Sequence, residues 1–347
     1  MKKLFFISAL VLVATFAIAQ SQQNQKQYQV CGVAFYNLEN LFDTINANGS
    51  YDLEYSPEGA KKWDGRKYWA KISNMSYAIS QLTSAHTPNG PAIIGVSEIE
   101  NESVLRDLVK ADAIKKWHLQ VIHHDSPDRR GVDVAMLYNP RYFRMLNVTN
   151  HRLKIEGYET FRTRDQMCVT GILLGDTVSV IVNHWPSRMG GQGQSAYLRD
   201  AAAALSKQIA DSVWAVNPHQ SVIVMGDLND DPFDNSCANV LGATKKKEDA
   251  KFHGFYNPFW RMIDKGIGSL GYKGSWNLFD QIIVSGDLVK EGNGLKYWNC
   301  LVHNLDFLTG KEGNRQGYPL RTFASGVYLN GYSDHYPTQV FLVKEVK

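Results

Sequence analysis

Residues 222–232, VIVMGDLNDDP, run four apolar residues and a glycine into Asp227, Asn229, Asp230 and Asp231. Acidic groups crowded past a buried run repel one another unless a cation or a reacting water sits among them. An ordinary turn also uses Asp, Asn and Pro, so both readings stand at first. The same pattern recurs along the chain. VCGVAFYNLEN ends in Asn37 and Glu39, AIIGVSEIEN in Glu98, and VSVIVNHWPSR in His184, with Arg188 just beyond. FDQIIVS sets Asp280 at a strand start, and GYSDHYPTQV sets Asp334 and His335 before the last strand. Taken singly, Asn37 is as readily a turn former, His184 a core histidine, and Asp227 with Asn229 a helix cap. Glu98 resists a bland reading more, since a bare buried carboxylate is costly.

If these ends converge, the chemistry they suit is phosphoester hydrolysis. A hard cation such as Mg²⁺ takes oxygen ligands, keeps several waters, and needs only one or two carboxylates. It neutralises phosphate charge. A further carboxylate or amide orients the attacking water, and a histidine held by an aspartate moves a proton. Arginine grips phosphate oxygens with its planar fork. Arg188 is one clamp candidate, against a structural salt bridge, and Arg162 and Arg164 in FRTRD are two more. Asp133, in RRGVDVAMLY, reads either as a buttress of His184 or as a plain strand residue. The chain has no CxxC pair, no GxxxxGK[ST] and no GxSxG, which removes zinc-ribbon, P-loop and serine-elbow chemistry.

Strands must carry these ends. Short β-branched runs bounded by Gly, Pro, Asn or Asp are predicted over 30–37, 91–98, 132–138, 177–185, 221–227, 278–285 and 338–345. Tyr68, Ile72, Met75, Ile79 and Leu82 form a helical stripe, as do Leu198, Ala202, Leu205, Ile209 and Val213. Residues 101–109 form a shorter helix candidate, and 233–277 an elaborated loop region. More strands than helices point to two packed sheets with helices outside.

The chain has 347 residues, 44% hydrophobic, enough for a sizeable core. Lys2 and Lys3, an apolar run and Ala17-Ile18-Ala19 read as a signal peptide over 1–19, so we expect export to the periplasm or beyond. A polar tail over 20–28 then precedes one catalytic domain over 29–347, with no transmembrane segment. Losing Lys2 and Lys3 nearly balances the formal charge of +3, which speaks against a large basic face. Cys31, Cys168, Cys237 and Cys300 are widely spaced, and their pairing is not readable.

FYNLEN, GVSEIEN, NHWPSR, GDLNDDP, FDQIIVS and SDHYP, in this order, resemble the endonuclease/exonuclease/phosphatase superfamily that includes deoxyribonuclease I. The resemblance spans roughly residues 29–345. It implies a four-layer α-β-β-α sandwich, two mixed β-sheets flanked by helices, with the site at one edge. It implies Glu98 as principal metal ligand, Asn37 and Glu39 beside the metal, and Asp334 on the metal side. It gives Asp227 and Asn229 the water-orienting role, Asp280 the holding of His335, and His184 a place across the phosphate. Asp230, Asp231 and Pro232 become the turn that leads away. Many members have Arg-x-Asp-Tyr where this chain has Leu278-Phe279-Asp280-Gln281, which puts the surroundings of Asp280 in doubt.

The implied cofactor is Mg²⁺, with Mn²⁺ or Ca²⁺ as alternatives. The first reading of substrate is DNA or RNA, with Lys245, Lys246 and Lys247 on the backbone and Trp185, Trp260 and Trp276 stacking bases. The second is a small molecule or lipid head group, which the near-neutral charge and the aromatic-rich segment HGFYNPFW (253–260) suit. The third is a non-catalytic binding protein. A monomer without a protein partner is expected.

Overall fold

The computed structural model describes residues 26–47, 50–272, 274–292 and 294–346. The expected signal peptide and most of the polar tail lie outside them. The first half comprises β1 (Gln27–Leu41), α1 (Ser50–Glu54), α2 (Gly65–Ser80), β2 (Ile93–Ile99), α3 (Glu102–Lys110), β3 (Gln120–His123), β4 (Asp133–Tyr138), β5 (Phe143–His151) and β6 (Gln166–Leu173). The second comprises β7 (Asp176–His184), α4 (Gln192–Val216), β8 (Ser221–Asp227), β9 (Ala243–Thr244), β10 (Phe255–Tyr256) and α5 (Trp260–Ile263). It continues with β11 (Leu270–Tyr272), β12 (Ser275–Asn277), β13 (Asp280–Ser285), β14 (Lys296–Val302), β15 (Phe323–Ala324), β16 (Val327–Tyr328) and β17 (Thr338–Val346).

Two mixed sheets pack face to face with helices outside, the expected four-layer sandwich. One has six strands in the order β14-β17-β1-β2-β4-β3, the other seven in the order β5-β6-β7-β8-β13-β10-β9. Side-chain alternation assigns the faces. Val178, Val180, Val182, Ile223, Met225, Ile282 and Val284 enter the core that contains the first sheet. The residues between them, Ile181, Val222, Val224 and Ile283, pack with Ala202, Ala203, Ile209, Ala210 and Trp214 of α4. Buried on both faces, these central strands therefore read as continuous apolar runs.

The helices start where their caps allow. The Asp64 side chain accepts from Lys67 N at α2, and Asn101 accepts from Ser103 N and Val104 N at α3. One contact sets how closely the sheets approach. A Cβ on Gly95 of β2 would lie 2.5 Å from Met225 Sδ of β8. Strands β3, β5, β6 and β14 were absent from the sequence reading. Edge strands such as β5, FRMLNVTNH, are mostly exposed and lack the apolar run. All four cysteines are buried free thiols, and burial pushes the Cys31 thiol up to about 12. No helix among the described residues is long and apolar enough to cross a membrane.

Candidate active site

Register brings three site residues side by side. His184, the last residue of β7, pairs with Asp227, the last residue of β8. Asp227 in turn pairs with Asp280, the first residue of β13. Gly226 fits this corner because a Cβ there would lie 2.2 Å from Asn183 O. The first sheet supplies the facing half. Asn37 lies beside Ser97, and both ladders around β2 slip between Ser97 and Ile99. Glu98 is the bulged residue, at φ 58°. Glu39, Asn40 and Asn229 share this left-handed region at 47°, 54° and 52°. Non-glycine residues adopt it at a cost, and bulges re-aim side chains.

The side chains meet across the gap between the sheets. Asn37 Nδ2 donates to Asp227 Oδ2 at 3.0 Å. His335 Nδ1 bonds Asp280 Oδ2 at 2.6 Å, and Ser269 Oγ donates to the same oxygen at 2.5 Å. His335 Nε2 then faces Asp227 Oδ2 and Asp334 Oδ1, each at 3.9 Å. His184 Nε2 lies 3.6 Å from Asp227 Oδ2 and 4.0 Å from Glu98 Oε1. The aspartate whose neighbours depart from the family pattern thus still holds the histidine.

The surroundings push the two histidines in opposite directions. Burial opposes an imidazolium at His335, but the Asp280 and Asp227 carboxylates outweigh it and hold its pKa well above 6.5. Burial, with Arg164, Arg130 and His335 as positive neighbours, pushes His184 well below 6.5, so it is neutral. Burial raises Asp227 to about 6, against the pull of His335.

These contacts give several of the expected residues other partners. Arg188 is no free clamp. Its guanidinium lies 2.7 Å from Asp234 Oδ2 and 3.1 Å from Asp230 Oδ1, over the Phe279 ring, and its Nε donates to Asn229 O. Arg164 is buried and donates to His184 O and Trp185 O, with Asp128 on its third arm. It positions the His184 backbone. Arg162 is exposed and folds onto Glu159 O and Phe161 O. Both oxygens of Glu39 are taken, by Arg321 Nε and Thr322 N, with Lys71 at 4.0 Å. Asn37 Oδ1 already accepts Glu39 N. Asp334 pairs with Arg321 at 3.0 Å. Among the expected metal-side residues, Glu98 faces His184 at 4.0 Å while its oxygens also accept Arg130 and Asn40 N, Asn37 reaches Asp227, and Asp334 lies 3.9 Å from His335. Asn229 donates its amide to Trp185 O and its backbone N–H to Asp227 Oδ1. Asp133 buttresses His123, not His184. Asp230 and Asp231 do carry the turn away, bound to Ser236 and to Leu278 N.

The expected substrate contacts fare similarly. Trp185 is buried, Trp276 stacks on Tyr336, and Lys245 pairs with Asp264 beneath Trp260. Phe255, Tyr256 and Phe259 of HGFYNPFW are core residues, while His253 is exposed and Trp260 half-buried. Arg130 was missed altogether. Its Nη1 donates to Glu98 Oε1 at 3.1 Å and its Nη2 to Asn40 Oδ1 at 2.5 Å. The signal was weak, one of two adjacent arginines in a polar loop. Lys71, buried beneath Glu39 and donating to Thr322 Oγ1 and Tyr332 O, left none.

A divalent cation fits this donor set. Glu98 and Asp227 offer carboxylate oxygens on either side of a neutral imidazole, and buried Asp280 Oδ1 has no hydrogen-bond partner. Asp227, Asp280 and His335 also lie close enough to share an ion. Two of their atoms, however, are bound to each other, which favours Glu98 and Asp227 as the holders.

A family model described as endonuclease/exonuclease/phosphatase family matches residues 32–344. The chain belongs to this family. Its members are phosphoester hydrolases and typically depend on a divalent metal. No curated sequence matches the chain. Solved structures share the fold at low identity. A Bacteroides thetaiotaomicron protein of the same family is 15% identical with a TM-score of 0.54, covering 92% of this chain and 100% of that one. The catalytic domain of human Nocturnin with bound sulfate is 14% identical at 0.52, over 93% and 98%. D. rerio TDP2 complexed with single-strand DNA product is 12% identical at 0.50, over 90% and 98%.

Proposed function

We propose that this protein is an exported Mg²⁺-dependent phosphodiesterase that hydrolyses nucleic acid. The observation that carries the chemistry is the Asp280–His335 pair aimed at Asp227, across from Glu98 and neutral His184. A divalent cation held by Glu98 and Asp227 would neutralise phosphate charge and polarise the phosphoryl group.

The chain's own residues supply the rest. Asp227, raised to about 6, is oriented by Asn37 and the Asn229 N–H, and accepts a hydrogen bond from the attacking water. His335 stays protonated between Asp280 and Asp227 and offers its Nε2–H to a phosphoryl oxygen. His184 gives a second hydrogen bond without adding charge. In-line displacement then forms the new P–O bond as the bond to the leaving oxygen on the opposite side breaks, the attacking water giving its proton to Asp227 and the leaving oxygen taking one from solvent.

One observation supports nucleic acid over a small head group: a structural neighbour is described with a DNA product. Export rests on the first nineteen residues and is checked by the N-terminal sequence of secreted or periplasmic protein. Turnover on plasmid DNA and on bis-p-nitrophenyl phosphate, with Mg²⁺ and with chelator, tests the rest. Chelator-sensitive nicking is expected. Activity in chelator would sink the metal, and an untouched plasmid with a cleaved small diester would sink the nuclease.

A further inference from the structure

Beside the catalytic cluster lies a groove of about 360 Å³ that the reaction chemistry does not use. Arg130 and Arg164 form its inner end, and through them it touches Glu98 and the backbone of His184. Its walls come from the loop before β4, the loop between β5 and β6, and the stretch from the β7–α4 loop into the first turns of α4. Tyr158, Tyr197 and Met189 line it at 43%, 52% and 83% exposure. Tyr158 also rests on Phe161, with ring centroids 5.6 Å apart. Large apolar side chains converging on one exposed concavity mark a contact surface.

Charge narrows the occupant. Arg129 and Arg162 stand exposed on the same walls, and the acidic lining residue, Asp128, is neutralised by Arg164 at 3.0 Å. Aromatic faces interleaved with arginines, next to a phosphate-processing centre, match an unpaired base with its flanking phosphate. A paired duplex would hide the base faces that the tyrosines offer to stack on.

We infer that this groove is a nucleobase subsite, which holds one unstacked base of a single-stranded nucleic acid beside the phosphate being hydrolysed. Its place next to a reacting phosphate rests on the hydrolase reading above. The occupancy itself does not.

The test uses the full mature chain in chelator, so that binding is read without turnover. Fluorescence polarisation compares a labelled oligothymidylate with an abasic phosphodiester of equal length. Wild type is expected to prefer the base-bearing strand by about fivefold or more, the scale of one lost base stack. The double variant Tyr158→Ala/Tyr197→Ala should lose that preference, and Tyr158→Phe/Tyr197→Phe should keep it. Equal binding of both strands by wild type overturns the inference. So does a preference that survives both alanines, or no binding to either strand. A base preference without turnover in Mg²⁺ would sustain the groove and sink the hydrolase reading alone.

Discussion

Two histidine–aspartate clusters sit among the described residues, and they differ in what they leave open. Where β3 ends and β4 begins, buried Asp133 takes His123 on one oxygen, and Ser126 N and Oγ on the other. Both carboxylate oxygens are satisfied. At the strand ends, Asp280 binds His335 and Ser269 through Oδ2 while its buried Oδ1 has no partner, and His184 Nδ1 is likewise unmatched. Left-handed non-glycine residues surround this second cluster at Glu98 and Asn229, and none of them belongs to the first. Residue type alone cannot separate the two groups. Unmatched buried atoms and strained backbone do, because a folded protein keeps such costs where they serve a function.

The sharpest way to break this comparison is to exchange the histidines' fates. His335→Asn should lower kcat by about 10²–10⁴-fold, whereas His123→Asn should leave kcat within about twofold. Equal losses would erase the distinction. Next in size, Glu98→Gln should abolish the rise in melting temperature that Mg²⁺ gives the wild type, which a thermal melt reads directly. Retained stabilisation by Mg²⁺ would move the cation away from Glu98.

Arg188→Ala strips the counter-charge from Asp231 and Asp234 and leaves Asp230 with Arg199 alone. It should cost about 1–3 kcal/mol in urea unfolding and leave KM for a small diester unchanged. A large KM rise would restore the phosphate clamp. The smallest effect concerns pH. In chelated protein, His335 has a folded pKa raised above 6.5, so its stabilisation is fully present below that value. It is lost as pH rises through the folded pKa. Urea midpoints of wild type should therefore fall across this window relative to His335→Asn, and parallel curves would contradict it.

Much of the site was legible because strand ends announce themselves. Glu98, His184, Asp227, Asp280 and His335 each adjoin an apolar run whose burial forces the polar residue to an edge. The arginines were less legible, because a guanidinium's partner is chosen in three dimensions. Arg188 and Arg130 look alike in sequence, yet one serves a turn and the other lies on Glu98. The buried Lys71–Glu39–Arg321 network was invisible for the same reason. It joins residues up to 283 positions apart, as in the Thr322 N to Glu39 bond. Strands β5 and β14 escaped because edge strands need only one buried face.

The contact between Gly95 and Met225 reaches beyond packing. Gly95 lies three residues before Glu98 and Met225 two before Asp227, so the thickness of the core at that point gauges the span between the two carboxylates. A catalytic site divided between two sheets makes its hydrophobic interior a ruler. Substitutions there, far from solvent and from any substrate, are read out as chemistry, and the core is less free to drift than its apolar composition implies.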